Sequence, residues 1–164
     1  MPDREDFNGK LFAATCKHMP NGEVRYRTEP KLGQSSDSVV SKWTVTARDN
    51  SEPEWQGAHF HLGYTEYYQV MTGYIGYVSQ DKSGAKRGFV HSRDGGLLIV
   101  KRKEIHNIIL SPNTLVFTWQ EKTANLRRNP AAGNRDWWPA DPDFPTRMKS
   151  EMDTVRFKLQ FMKK

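Results

Sequence analysis

The chain has 164 residues, a net charge of +6 and a pI near 9.5. At roughly 150 residues per domain this is a single domain, and with 12% aromatic residues it is neither low-complexity nor disordered. One cysteine, Cys16, excludes an intrachain disulfide and a Cys-rich zinc module.

The opening Met-Pro-Asp-Arg-Glu-Asp has no basic region followed by an apolar run. No stretch approaches the roughly 18 apolar residues of a membrane span. A cytoplasmic protein without membrane contact is expected. The basic residues are scattered, and Asp3-Arg4-Glu5 mixes both signs. The densest patches, Lys101-Arg102-Lys103 and Arg127-Arg128, are too short for a nucleic-acid track and read as solvated faces.

The dominant period is two, and the elements follow in chain order. Val40 to Ala47 is a β-branched run ended by Asp49-Asn50. Ala58 to Leu62 is a second strand, with His59 and His61 on one face. Glu66 to Met71 is a third; Thr72-Gly73 then predicts a hairpin into Tyr74 to Ser79. A polar loop, Gln80 to Lys86, leads to a short strand, Gly88 to His91, and an Asp94-Gly95-Gly96 turn. Leu97 to Val100 and His106 to Leu110 are apolar strands. Ser111-Pro112-Asn113 turns the chain into Leu115 to Trp119. Gln120 to Thr146 reads as irregular. Val155, Phe157, Leu159 and Phe161 alternate with polar residues, so a final strand is expected over 154–162, and no long amphipathic helix is expected. Short strands with turns every 8 to 12 residues predict an all-β sandwich or barrel.

The chemistry concentrates in His59-Phe60-His61 and Glu66. Residues two apart on a strand share a face, so His59 and His61 present two imidazoles side by side. Glu66 follows after a short interval, and His106 heads a later strand. Three neutral imidazoles and a carboxylate suit one divalent first-row metal with positions left for water or substrate. His18 and His91 lack such partners and read as surface histidines.

The run His59-x-His61-x4-Glu66-x6-Gly73 resembles the first signature of the cupin superfamily, and His106 resembles the ligand of its second signature. The resemblance spans Trp43 to Trp119. It departs from the family at Pro53, Lys101, Lys103 and Leu110, where Gly, Pro, Gly and Asn are usual. It implies a double-stranded β-helix (jelly-roll) barrel over about residues 39–119, with an irregular cap at 120–150 and the final strand. It also implies metal ligation by His59, His61, Glu66 and His106.

Two chemistries compete at such a site. Fe(II), the favoured metal, would make an oxidoreductase, a dioxygenase acting on an aromatic or polyene-like molecule. Zn, Ni or Mn would serve a Lewis-acid isomerase, cyclase, dehydratase or decarboxylase, with Glu66 or Tyr68 moving a proton. A non-catalytic binding barrel is the third reading. Tyr64, Val70, Tyr77, Phe117 and Trp119 are expected to line the pocket, with Tyr68 and Val70 sharing the parity of Glu66. Lys101 is placed at the barrel mouth to catch an anionic group. Trp137-Trp138 either cap the barrel or pack outside it. The partner is a small molecule, and a homodimer is compatible with the fold.

Overall fold

The computed structural model of the protein describes residues 12–30, 40–48, 52–125, 129–132 and 136–162. Asp49-Asn50, Arg127-Arg128 and the N-terminal Asp3-Arg4-Glu5 lie outside the described residues. In chain order the strands are β1 (Phe12–His18), β2 (Glu23–Pro30), β3 (Val40–Arg48), β4 (His59–Phe60), β5 (Tyr64–Thr72) and β6 (Tyr74–Gln80). They continue as β7 (Lys86–Ser92), β8 (Leu97–Val100), β9 (Ile105–Leu110), β10 (Leu115–Lys122) and β11 (Trp138–Pro139). Two helices follow, α1 (Phe144–Arg147) and α2 (Lys149–Phe161). None is long and apolar enough to cross a membrane.

The strands form two antiparallel sheets, ordered β1-β2-β3-β10-β5-β8 and β11-β4-β9-β6-β7. Alternation sets the faces. In β5, Glu66, Tyr68 and Val70 are buried while Tyr67 and Gln69 between them are half-buried. Tyr68, Val70, Ile75, Tyr77, Val100 and Leu110 belong to the core cluster between the sheets. The architecture is the expected all-β jelly roll.

The predicted Thr72-Gly73 hairpin is corrected. β5 lies in the six-stranded sheet and β6 in the five-stranded one, so the turn carries the chain across the barrel. Gly73 has φ +73°, and a Cβ there would sit 2.2 Å from Thr114 Oγ1. Only glycine fits this corner. The true hairpin is β6–β7, where Gln80 pairs with Lys86.

The expected final strand over 154–162 is also corrected, together with the expectation of no long helix. Val155 and Leu159 face inward on α2, whereas Phe157 and Phe161 are exposed, their rings 4.7 Å apart. The apolar series Phe144, Met148, Met152, Val155, Leu159 has helical spacing. With Val78 and Ile109 it builds a second core cluster on the outer face of the five-stranded sheet.

Gly76 of β6 and Gly88 of β7 leave room for the helix. A Cβ on Gly76 would lie 2.5 Å from Val155 Cγ1 and 2.6 Å from Ile109 Cγ2. Gly76→Ala is therefore expected to destabilise the fold by about 1–3 kcal/mol through overpacking. Urea unfolding checks this; a midpoint unchanged from the parent would show that α2 is not seated as described.

Candidate metal centre

His59 and His106 sit side by side on the five-stranded sheet because its neighbouring strands β4 and β9 pair antiparallel, His59 opposite His106. His61 follows on the same parity. Glu66 comes from β5 in the opposite sheet. One ligand atom from each of the four lies within 4.8 Å of all the others.

Backbone carbonyls orient the rings. Nδ1 of His59 meets Gly57 O at 3.0 Å, Nδ1 of His61 meets Asp136 O at 2.5 Å, and Nδ1 of His106 meets Glu104 O at 3.1 Å. A carbonyl only accepts, so each Nδ1 carries the proton and each Nε2 is turned toward the centre. Nε2 of His61 and of His106 lie 3.3 and 3.2 Å from Glu66 Oε2. The Tyr68 hydroxyl donates to the same oxygen at 2.7 Å, and Gln120 Nε2 donates to Oε1 at 2.9 Å. Buried, preoriented nitrogen donors with one carboxylate are the donor set a divalent transition metal requires, so the residues fit such an ion.

The 120–150 segment braces this centre. The Asp136 carboxylate accepts from Leu62 N at 2.9 Å, Gly63 N at 2.7 Å and Trp138 Nε1 at 3.0 Å. It thereby fixes the turn between His61 and Glu66, while its own carbonyl aims His61. Trp137 stacks on His59 with centroids 5.3 Å apart. Trp138 stands beside β4 instead. Asp136 and Gln120 were missed in the sequence, since both sit in stretches with no periodic signal.

Electrostatics separate the four groups. Burial, reinforced by the adjacent His106, pushes His59 well below its usual value and keeps it neutral, against the pull of Glu66. Burial also disfavours a charged His61, but the charge and hydrogen bond of Glu66 outweigh it and raise that pKa above 6.5. Burial opposes ionisation of Glu66, yet the charge of His61 and the bonds from both histidines hold its carboxyl well below the usual range. Burial and the Glu66 charge push Tyr68 far up, so it stays a phenol. A metal bound here displaces the proton of His61. Metal uptake should therefore weaken as pH falls, beginning above 6.5, with proton release on binding. Calorimetric titration in buffers of different ionisation enthalpy measures both effects; uptake independent of pH would contradict this.

The centre opens on a cavity of about 370 Å³. Tyr64, Glu66, Tyr68 and Trp119 are among the residues that line it. Four expected lining residues lie elsewhere. Val70 is fully buried in the core. Tyr77 stands behind His106, donating to Glu104 Oε1 at 2.9 Å. Phe117 has the outward parity of β10, and its ring packs on Trp119, which in turn stacks on Tyr67. Lys101 is exposed in the turn before β9. In that turn Lys103 takes φ +64°, a left-handed backbone that favours glycine, and its N–H bonds His61 O at 2.7 Å. His18 is exposed and His91 half-buried, its Nε2 2.9 Å from Gly96 O; neither joins the centre. The cavity wall that sequence reading missed comes from β1–β3: Lys17, Arg25, Arg27, Thr44 and Thr46.

No family model matches the sequence, and no curated protein does. Solved structures do. The capsular polysaccharide assembling protein CapF of Staphylococcus aureus superposes with a TM-score of 0.54 at 16% identity, over 77% of this chain and 32% of that one. The Lactobacillus farciminis oxalate decarboxylase formate complex gives 0.56 at 12%, over 90% and 41%. A variant of the Bacillus subtilis oxalate decarboxylase gives 0.59 at 8%, over 93% and 39%. The chain thus spans only a third to two fifths of these proteins. Two facing antiparallel sheets, the crossing at Gly73 and these superpositions agree: the chain has the double-stranded β-helix fold of the cupins, with a His-His-Glu-His cluster of metal-binding type inside it.

Proposed function

We propose that the chain is a metal-dependent small-molecule enzyme of the cupin type, and that its first chemistry is oxidation by dioxygen at Fe(II). The observation that supports this is a cluster of four donors, three of which (His59, His61 and Glu66) line a cavity large enough for a small organic molecule. Bound iron would supply the electrons and the Lewis acidity. His59, His61, Glu66 and His106 would hold it. Trp137 and Tyr64 give the cavity aromatic surface, and β11 and the Asp136 turn shield the His59 side from water. The lone thiol, the exposed Cys16, suits a reducing cytoplasmic compartment.

A second reading is Lewis-acid isomerase, cyclase, dehydratase or decarboxylase chemistry with Zn, Ni or Mn. The observation favouring it is the Tyr68–Glu66 contact at 2.7 Å, a phenol and a carboxylate poised to pass a proton. Nitric oxide binding to the Fe(II)-loaded protein, followed by electron paramagnetic resonance, tests the first reading without a known substrate. A nitrosyl signal is expected, since the cavity side of the centre is open. No signal from fully iron-loaded protein, or turnover unchanged without oxygen, would remove the oxygenase and leave the second reading.

A further inference from the structure

We propose that the cavity takes a small organic acid whose oxyanion docks on Arg25 and Arg27, opposite the metal centre. This rests on the reading that the cavity is the substrate site, and it names the substrate class.

The register places the parts. On β2, Arg25 and Arg27 share a face; Lys17 of β1 pairs opposite Arg25. Arg27 pairs with Thr44, Thr44 with Thr118, and Thr118 with Tyr68. Arg25 pairs with Thr46, and Thr46 with Val116. All these side chains line the one cavity. From β2 to β5 is three strand spacings, roughly 14 Å along the sheet. A row of threonine hydroxyls thus runs from the guanidinium wall to the Tyr68–Glu66 pair. That length suits a molecule with a charged head at one end and a reacting group at the other.

The wall is built. Glu23, fully buried beneath it, accepts from Arg25 Nη2 at 2.9 Å and from Gln56 Nε2 at 2.9 and 3.0 Å. This fixes the Arg25 fork. Arg25 Nε is buried without a hydrogen-bond partner among the described residues, a donor that a bound oxyanion would satisfy. Glu23 offsets the Arg25 charge, and the two acids that line the cavity are engaged elsewhere. Glu66 belongs to the metal cluster, and the Asp136 carboxylate is taken up by three N–H groups.

The experiment is calorimetric titration of zinc-loaded and metal-free protein with succinate, benzoate, inorganic phosphate and neutral succinamide. At least one of the three anions should bind wild type, and succinamide should not. Arg27→Gln should weaken that anion about tenfold or more, with metal content unchanged, and Arg27→Lys should recover part of the loss. Lys17→Gln should weaken it less, and Arg25→Gln is read only where its melting curve matches the parent. Phosphate binding ahead of both carboxylates would keep the arginine site and identify the head group as a phosphate. No anion binding to wild type, equal binding by Arg27→Gln, or succinamide as tight as succinate would overturn the proposal. Metal content is measured separately. Protein that takes no metal yet binds anions through Arg27 would therefore sink the metal reading alone.

Discussion

The His59→Ala/His61→Ala variant is expected to contain no stoichiometric metal, whereas the parent, after reconstitution, holds about one equivalent of a first-row transition ion. Two of four donors disappear, and the remaining His106 and Glu66 come from opposite sheets. Losing a group that merely orients a ligand typically costs 10- to 100-fold in affinity, so losing two ligands should cost considerably more. The fold should survive. Both side chains face the centre and not the apolar clusters, and Glu66 keeps donors from Tyr68 and Gln120. Elemental analysis of both proteins, with circular dichroism as the control, decides the matter. Equal metal in a folded variant would mean that the ion sits elsewhere. Activity, once a substrate is found, should vanish with the metal.

Much of this centre was legible because it depends on local parity. His59 and His61 are two apart on extended chain, and Glu66 follows after a turn, so three ligands could be read from eight residues. His106 was placed by analogy with a motif, and its pairing with His59 gives the physical reason that it belongs there. The strands read from alternation between Val40 and Trp119 are all present, most of them one to three residues longer, Leu97 to Val100 unchanged and Ala58 to Leu62 shorter.

What was not legible depends on partners far away in sequence. Val155, Phe157, Leu159 and Phe161 alternate as a strand would, but only two of them meet the sheet. The distinguishing signal lay upstream, in Phe144, Met148 and Met152 at helical spacing. Thr72-Gly73 looks like a hairpin turn, yet whether a turn joins neighbours or crosses the barrel is set by what packs on it, here Thr114. The arginine wall was readable in part. Val24, Tyr26 and Thr28 alternate with Arg25, Arg27 and Glu29, a period-two run that marks β2. Its position beside the metal cluster follows only from the sheet order.

That order also explains why the cavity carries a polar wall beside its aromatic one. Phe117 carries outward parity on β10 and lies off the cavity, Trp119 packs on Phe117 and also lines the cavity, and Val116, Thr118 and Gln120 turn inward. On β3, Thr44 and Thr46 do the same. The six-stranded sheet therefore offers the cavity hydroxyls, an amide and cations besides the rings of Tyr64, Tyr68 and Trp119.

Glu66→Gln is the variant that separates binding from chemistry. Tyr68, His61 and His106 converge on Glu66 Oε2, and Gln120 donates to Oε1. A glutamine has one accepting oxygen and one NH₂ group, so whichever way it turns, its NH₂ faces a buried donor. Leaving such a donor unsatisfied costs about 1–3 kcal/mol, which a melting curve should register. His61 also loses the charge that raises its pKa and should fall toward the value dictated by burial, since desolvation opposes its protonation. Its Nε2 is then free of a proton at neutral pH, so the three imidazoles should still hold metal, at reduced affinity. Catalysis should suffer more. Removal of a general acid–base group typically costs about 10²–10⁴-fold in rate, and Tyr68 would lose the carboxylate that accepts its hydrogen bond. A metal-saturated Glu66→Gln protein with low kcat and an unchanged KM is the expected result. Full kcat at metal saturation would restrict Glu66 to a ligand, and would move proton transfer to a group elsewhere in the cavity.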